Sequence, residues 1–239
     1  DTMQAIAAEN NLAETAFFAP SEEDGADFHL RWFTPAAEIE LCGHATLATA
    51  HALWNHLGFA GERIAFSTER VGALGVERDG EGRLVLDFPA RPPERLDPAN
   101  GLVREIGRVL GRAPDEVHVS RPKILAVYEN KRDVHELRPD LRALAELEAQ
   151  GVIVTAPAAG HDFVSRFFAP ALGVDEDPVT GSAHCVLAPY WAGRLGKTSL
   201  TAHQVSPRGG ELWCEVRGDR VRIAGHAVTY LRGEIDVPG

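Results

Sequence analysis

Two short stretches of this 239-residue chain place acidic and small polar residues just ahead of a predicted helix. In the first stretch, Glu38 and Cys42 precede Gly43 and His44. A helix that starts at Gly43 leaves its first backbone N–H groups unpaired, and its dipole presents positive charge at that end. Such a helix start can seat a carboxylate, and glycine lets the ligand approach the backbone closely.

The second stretch repeats this arrangement further along the chain. Asp177 is followed by Pro178, and Thr180, Gly181 and Ser182 lead into the next predicted helix. The two hydroxyls could bind an anion, or they could simply cap the helix, which is the commonest role of serine and threonine at this position. Two copies in matching contexts favour a shared site, in which both helix starts converge on one cleft.

Glu38 is the candidate general acid or base. A single loop glutamate is most often a solvated surface charge, but in a cleft beside a buried helix desolvation would raise its pKa. A raised pKa suits proton transfer near neutral pH. Asp177 is also predicted to face inward because Pro178 restricts the backbone beside it, whereas Asp175 and Glu176 fit an acidic turn before a helix.

Cys42 is a candidate for proton abstraction, because a thiolate is stabilised near a helix N-terminus. A small buried residue is an equally good interpretation of the same cysteine. The histidines of the two predicted central helices, His44, His51 and His184, have no metal-ligand spacing, and the chain has no dinucleotide-binding or Walker-type glycine motif. The sequence therefore predicts neither a metal nor a cofactor.

The elements that must hold these residues are strands and two uncharged helices. The predicted helices 44–57 and 182–192 contain no Asp, Glu, Lys or Arg, so they should be buried on most sides. Periodicity predicts further helices at 2–10, 101–110 and 139–149. It predicts strands at 12–18, 28–33, 63–68, 73–78, 83–88, 115–120, 123–129, 151–156, 162–168, 198–206, 211–217, 220–225 and 227–236.

Four prolines between residues 89 and 100 mark the best candidate linker. We therefore divide the chain into an N-terminal half, 1–95, and a C-terminal half, 96–239, with the last segment, 227–239, returning to the first half. Each half has a strand, an acidic loop, a buried helix and then antiparallel strands, which indicates an internal duplication. The chain opens directly on a helix, so we expect a segment to precede Asp1.

Composition excludes several classes of function. A net charge of −11 disfavours nucleic acid and anionic membranes as partners, because both would repel the chain. No apolar run is long enough to span a membrane, and residues 1–17 do not resemble a signal peptide. The three cysteines form no Cys-x-x-Cys pair, which fits a reducing cytoplasm.

The two stretches resemble the signatures of the PhzF-like (phenazine biosynthesis) family. The matching segments are residues 34–46 (TPAAEIELCGHAT) and 175–184 (DEDPVTGSAH). Residues 3–7 and 10–17 are similar to the early helix and strand of that family. The resemblance covers most of the chain.

The resemblance implies a diaminopimelate-epimerase-like α+β fold, in which two pseudo-symmetric halves each wrap an antiparallel β-barrel around a central α-helix. It also implies a homodimer, a small carboxylate-bearing substrate, and catalysis without metal or cofactor. In the phenazine enzyme, the glutamate that matches Glu38 moves a proton between carbons of the substrate. The aspartate and serine that match Asp177 and Ser182 help to hold that substrate. We place Glu38 and Asp177 in the catalytic set, with Gly43, His44, Thr180, Gly181 and Ser182 in the substrate-binding set.

The chain departs from the pattern of this family in three respects. A further histidine of the phenazine enzyme has no match in residues 58–76, so phenazine synthesis itself is not implied. The first strand of the family, with its Gly-Asn-Pro loop, is absent from the sequence. The related two-cysteine racemases require a second cysteine where this chain has Val179-Thr180-Gly181, which disfavours that mechanism.

The sequence therefore predicts a cytoplasmic isomerase that moves a proton through Glu38. One alternative is a lyase or dehydratase on the same scaffold, with Glu38 or Cys42 as the base. Loss of one water from the substrate would distinguish it. The other alternative is a non-catalytic interaction protein, which the joint presence of Glu38, Asp177 and Ser182 disfavours.

Overall fold

The computed structural model describes residues 2–236, and within them the chain forms six α-helices and fourteen strands. The helices are α1 (Thr2–Asn10), α2 (Gly43–His56), α3 (Gly101–Leu110), α4 (Lys131–Glu136), α5 (Leu141–Ala145) and α6 (Gly181–Leu195). The strands are β1 (Thr15–Pro20), β2 (Phe28–Phe33), β3 (Glu38–Ile39), β4 (Arg63–Ser67), β5 (Leu74–Arg78), β6 (Leu84–Pro89), β7 (Glu94–Arg95), β8 (Glu116–Ser120), β9 (Lys123–Val127), β10 (Gly151–Pro157), β11 (Phe163–Phe168), β12 (Ser199–Gln204), β13 (Gly210–Arg217) and β14 (Arg220–Gly225). No helix in this part of the chain combines the length and the apolar content that a membrane crossing needs.

The strands of residues 2–236 form one sheet with a mirrored order. Its path is β1-β2-β4-β5-β6-β14-β13-β12-β11-β10-β9-β8-β7, and β3 pairs with β2. The five strands from β1 to β6 on this path and the five from β10 to β14 meet at the antiparallel pair β6–β14. This mirrored order supports the internal duplication. The domain boundary between residues 95 and 96 stays a prediction.

Each half carries its central helix between two parallel strands. The chain runs β2–α2–β4 in the first half and β11–α6–β12 in the second, and both strand pairs are parallel. Parallel neighbours need a long crossover because the chain must return to the same end of the sheet. The pairing therefore differs from the antiparallel expectation at these two places, and also at β9–β10.

The two central helices share one hydrophobic core. A single cluster joins strand residues of both halves to the helix side chains Leu47, Ala50, Leu53, Val186, Leu187 and Trp191. The indole of Trp191 donates to Thr155 Oγ1 at 3.0 Å, and that of Trp32 donates to Thr46 Oγ1 at 3.1 Å. Because their polar N–H groups are paired, both rings can be buried without an unsatisfied donor. The two central helices are thus buried as predicted.

Two predicted elements differ from the structure. The strand predicted at 227–236 does not form: β14 already has β6 and β13 on its two sides, and Val228, Tyr230 and Leu231 are exposed. Residues 237–239, which end the segment 227–239 predicted to return to the first half, lie outside the described range. The helix predicted at 139–149 is only α5, and the preceding α4 was not predicted because its six residues, KRDVHE, lack an apolar period.

Candidate active site

The starts of α2 and α6 meet in the middle of the molecule. A Cβ atom built on Gly43 would lie 3.1 Å from the Cα of Gly181, and one built on Gly181 would lie 3.2 Å from the Cα of Gly43. The approach leaves no room for larger residues. The side chains of Cys42 and Thr180, which precede these glycines, make no helix-capping hydrogen bond. Both positive helix ends therefore face the same small region without a capping hydroxyl at the preceding position.

A cleft of about 190 Å³ opens at this meeting point. Both halves line it, and its walls include every residue that the sequence placed in the site: Glu38, Cys42, Gly43, His44, Asp177, Thr180, Gly181 and Ser182. A larger and more open groove, of about 670 Å³, lies elsewhere beside Arg83 and Trp213 and contains none of these residues. We take the smaller cleft as the candidate active site because it contains the predicted acidic residues and both helix starts.

Glu38 reaches the cleft from the short strand β3. Thr34 closes the preceding turn, since its backbone N–H donates to the carbonyl of Ala37 at 2.8 Å. The Glu38 carboxylate accepts two hydrogen bonds from Arg31, both of 2.8 Å, and its side chain is 27% exposed. This bidentate pair lowers the pKa of Glu38, against the smaller opposing effect of burial. The expectation that desolvation would raise the pKa of Glu38 is therefore wrong, because the sequence did not reveal the arginine.

Asp177 has the opposite environment. It is buried, its Oδ2 accepts a 2.6 Å hydrogen bond from Thr180, and its Oδ1 has no hydrogen-bond partner among residues 2–236. Burial raises the pKa of Asp177, although the nearby His44 acts in the other direction. The Thr180 hydroxyl thus binds the Asp177 carboxyl group and does not cap α6.

Gln204 fixes the loop from Asp177 to Thr180 through its side-chain amide. The sequence analysis did not predict this residue. Its side-chain Oε1 accepts from the Thr180 backbone N–H at 2.8 Å, and its Nε2 donates to the Asp177 carbonyl at 2.7 Å. The signal that could have found it is strand alternation: in β12 the side chains of Leu200, Ala202 and Gln204 all point inward. A glutamine at a core position must be fully hydrogen-bonded, which marks it as part of a polar network.

His44 lies at the centre of a buried polar cluster. Its Nε2 is 2.9 Å from Oε2 of Glu14, its Nδ1 is 3.8 Å from Oδ1 of Asp177, and the Cys42 sulfur is 3.7 Å from Nδ1. Burial disfavours the imidazolium, yet the sulfur and the two carboxylates around it hold the pKa of His44 above its usual value. Burial raises the pKa of the Cys42 thiol, so the predicted stabilised thiolate is not favoured. Glu14 was not predicted because it lies far from both signatures in the sequence.

Glu14, Cys42 and His44 each place a ligand atom within 4.8 Å of the others. Carboxylate, thiolate and imidazole are the donors that zinc accepts, so these three side chains are the ones that could hold such an ion. The same side chains already contact one another through the His44 imidazole, at 2.9 Å from Glu14 Oε2 and 3.7 Å from the Cys42 sulfur. The prediction of a metal-free site stays a prediction. His184, by contrast, is fully buried and bonds the Thr180 carbonyl through Nδ1 at 2.7 Å, which makes it a core residue.

Comparison with known proteins identifies the family. The family model of the phenazine biosynthesis-like proteins, PhzC-PhzF, matches residues 1–233. This chain belongs to the PhzC-PhzF family. An uncharacterized isomerase of Pseudomonas aeruginosa is 54% identical to it over 235 residues, which cover 98% of this chain and 87% of that protein. The predicted enzyme class, isomerase, is thereby confirmed.

Solved structures confirm the fold class. A PhzF-family protein of Enterococcus faecalis has a TM-score of 0.89 and 45% sequence identity, covering 98% of this chain and 87% of its own. A predicted epimerase of Pseudomonas aeruginosa, 24% identical, has a TM-score of 0.68, covers 94% of this chain and 84% of its own, and supports the fold alone. The PhzC-PhzF chain therefore has the predicted mixed α+β, epimerase-like fold, while closure of each half into a barrel stays a prediction.

Proposed function

We propose that this chain is a cofactor-independent isomerase that moves a proton between two carbons of a small carboxylate-bearing molecule through Glu38. The observation that carries the proposal is the contrast between the two cleft carboxylates. The Arg31 guanidinium lowers the pKa of Glu38, and burial raises the pKa of Asp177. Two titratable groups with pKa values moved apart in one cleft are suited to act as base and acid.

In the proposed reaction, the substrate carboxylate binds at the uncapped starts of α2 and α6, beside Gly43, Gly181 and Ser182. The ionised Glu38 takes a proton from the adjacent carbon, and the electron pair of that C–H bond moves into the neighbouring conjugated system. The Glu38 carboxylic acid then returns the proton to a different carbon, which leaves the overall composition unchanged. No cofactor is consumed in this sequence.

Asp177 supports the step as a neutral acid. Thr180 already donates to Oδ2, so Oδ1, which has no hydrogen-bond partner within residues 2–236, is the oxygen that would carry the proton. His44 and Glu14 lie behind Asp177 and can accommodate a change in its charge. The substrate-binding roles of His44 and Thr180 are thus exerted largely through Asp177.

Proton exchange tests the assignment of Glu38. A panel of small carboxylic acids with an acidic C–H beside the carboxylate is incubated with the protein in deuterated water, and deuterium uptake is followed by NMR. Glu38→Gln should reduce uptake by roughly 10²–10⁴-fold. Glu69→Gln is the matched control, because Glu69 also approaches Arg31, at 4.0 Å, but does not line the cleft. Full exchange in Glu38→Gln would show that another group carries the proton.

A homodimer and a cytoplasmic location belong to the same proposal and rest on the family resemblance and the cysteine pattern. The chain mass is 25.9 kDa. Light scattering should therefore give twice that mass for the protein in solution. A monomeric mass at micromolar concentration would overturn the dimer and leave the proton-transfer chemistry untouched.

A further inference from the structure

One wall of the cleft carries two cations: Lys123, from the second half, and Arg91, from the proline-rich segment that ends the first half. Lys123 is half-buried at the start of β9, and Arg91 is exposed at the rim. Among residues 2–236, no carboxylate lies within 4.0 Å of either charge. Two like charges therefore line one cleft, and neither forms an ion pair within residues 2–236.

The other cations around the cleft are paired. Arg31 binds Glu38, and Arg70, on the opposite rim, lies 3.3 Å from Glu40. Burial and the neighbouring Arg91 both lower the pKa of Lys123. A partly buried ammonium without a partner is unfavourable. An anion-binding subsite needs such an unpaired positive charge in a cleft, where a ligand can supply the missing partner.

The chain segments beside both cations are hydrogen-bonded to the rest of the candidate site. The Arg91 backbone N–H donates to the carbonyl of Cys185 in α6 at 2.8 Å. The ammonium of Lys123 lies 5.9 Å from the ring centre of Phe167, whose backbone carbonyl accepts from the N–H of Asp177 at 3.0 Å. The cations are thus tied to the same loop and helix that position Asp177. Lys123, Arg91 and both helix starts line the same cleft, so one bound molecule would be able to contact both regions.

We propose that Lys123 and Arg91 form a second anion subsite, so that the substrate is a dianion with one carboxylate at the helix starts and another acidic group at this wall. The assignment of the first carboxylate rests on the proposed function. The second group is a carboxylate or a phosphate, since both are recognised by paired Lys and Arg side chains. Monocarboxylates would occupy only half of the site.

The low lysine content of the chain makes the subsite directly observable. Its only lysines are Lys123, Lys131 and Lys197, so protein labelled with heavy-isotope lysine gives three side-chain signals in NMR spectra. Succinate and phosphoglycolate, which each carry two anionic groups, should shift the Lys123 signal, and butyrate should not. Binding should also raise the pKa of Lys123, because an adjacent anion favours the ammonium. The relative affinities of succinate and phosphoglycolate distinguish a carboxylate from a phosphate as the second group.

Variants complete the test. Lys123→Gln should weaken succinate binding by roughly tenfold or more, as expected for the loss of a charged hydrogen-bond donor. Lys123→Arg should restore most of it, and Lys131→Gln, on the surface helix α4, should bind like the wild type. Unchanged succinate affinity in a folded Lys123→Gln variant, or a Lys123 signal that no dianion moves, would overturn the subsite.

The outcome separates this inference from the proposed function. In Glu38→Gln, which should lose deuterium exchange, succinate should still shift the Lys123 signal. Exchange that survives in Glu38→Gln would refute the base while the subsite stands. Exchange that depends on Glu38 together with no dianion response at Lys123 would refute the subsite while the base stands.

Discussion

The two halves contain the same arginine–glutamate pair, used in two different ways. Arg31 and Arg166 are each the fourth residue of a strand, in FHLRWF and FVSRFF, and each binds a glutamate through two hydrogen bonds. Those glutamates, Glu38 and Glu176, both lie five residues before the glycine that begins the central helix. The correspondence makes Glu176, and not Asp177, the counterpart of Glu38.

The environments of the two pairs differ. The side chains of Arg166 and Glu176 are only 10% and 15% exposed, and Arg166 also donates to the carbonyls of Val134 and Leu137. The side chains of Arg31 and Glu38 are 30% and 27% exposed, and Glu38 lines the cleft, whereas Glu176 does not. One copy of the pair is therefore embedded in the fold, and the other is open to a ligand.

The next residue in each loop completes the contrast. Ile39 follows Glu38 and packs against the hydrophobic core, whereas Asp177 follows Glu176 and lines the cleft. Within the duplicated framework, the first half thus presents an ionised carboxylate and the second presents a buried one. The two halves thus present two acidic groups in different environments, which suits the proposed division into a base and a neutral acid.

The largest expected effect concerns activity. If only the first copy of the pair is catalytic, Glu176→Gln should retain deuterium exchange close to the wild-type rate at a temperature where it remains folded. Glu38→Gln, its counterpart in the first half, should lose roughly 10²–10⁴-fold. Exchange rates for the two variants under identical conditions make the comparison. Equal losses in both would mean that the two pairs share one role.

For stability, the pair of the second half, Arg166 and Glu176, should matter more than Arg31 and Glu38. Arg166→Leu leaves the buried Glu176 and two carbonyls without partners, so it should lower the free energy of unfolding by about 3–5 kcal/mol. Arg31→Leu removes a more exposed pair and should lower it by about 1 kcal/mol or less. Urea denaturation of both variants gives the difference. Comparable losses would contradict the assignment of Arg166 to the fold and Arg31 to the cleft.

Sequence patterns predicted the two central helices and eight of the residues that line the cleft, because those features depend on local composition. Charge-free segments became α2 and α6, and the glycines at their starts meet as expected. The charge state of Glu38 could not be predicted in this way, because it depends on Arg31 across the β2–β3 pairing. Had that pairing been predicted, alternation would have placed Arg31 on the face of Phe33, the residue opposite Glu38.

Contacts between distant segments were the least predictable. Glu14 directly precedes β1, and Gln204 is the last residue of β12. Only the folded sheet brings Glu14 to His44 and Gln204 to Asp177. The strand expected at 227–236 failed for a related reason. Its residues alternate suitably, but whether a strand forms depends on a free neighbouring edge, which local sequence does not report.

The pH dependence of exchange sharpens the role of Arg31. In the wild type, the guanidinium lowers the pKa of Glu38, so the base should remain ionised and active into mildly acidic solution. Arg31→Gln removes this effect, and the acid limb of the exchange profile should move to higher pH. Arg31→Lys, which keeps the charge, should move it less. A profile that does not respond to either change would mean that Glu38 is not the group that titrates in that limb.

The smallest expected effect is on stability: neutralising Asp177 and neutralising Glu38 should change the free energy of unfolding in opposite directions at neutral pH. The pKa of Asp177 is raised in the folded state, so its contribution to stability is present below its unfolded pKa and is lost as pH rises through the folded value. Asp177→Asn should therefore stabilise the protein at neutral pH, by roughly 1 kcal/mol, while reducing exchange. The gain should disappear in acid.

Glu38→Gln should do the opposite. The pKa of Glu38 is lowered, so its contribution is present above the unfolded pKa and is lost as pH falls through the folded value. The variant should be less stable than the wild type at neutral pH and should match it in acid. Urea denaturation at both pH values tests the two variants together. If both shifted stability in the same direction, the cleft would not hold its two acids in opposite environments, and the division into base and acid would fail.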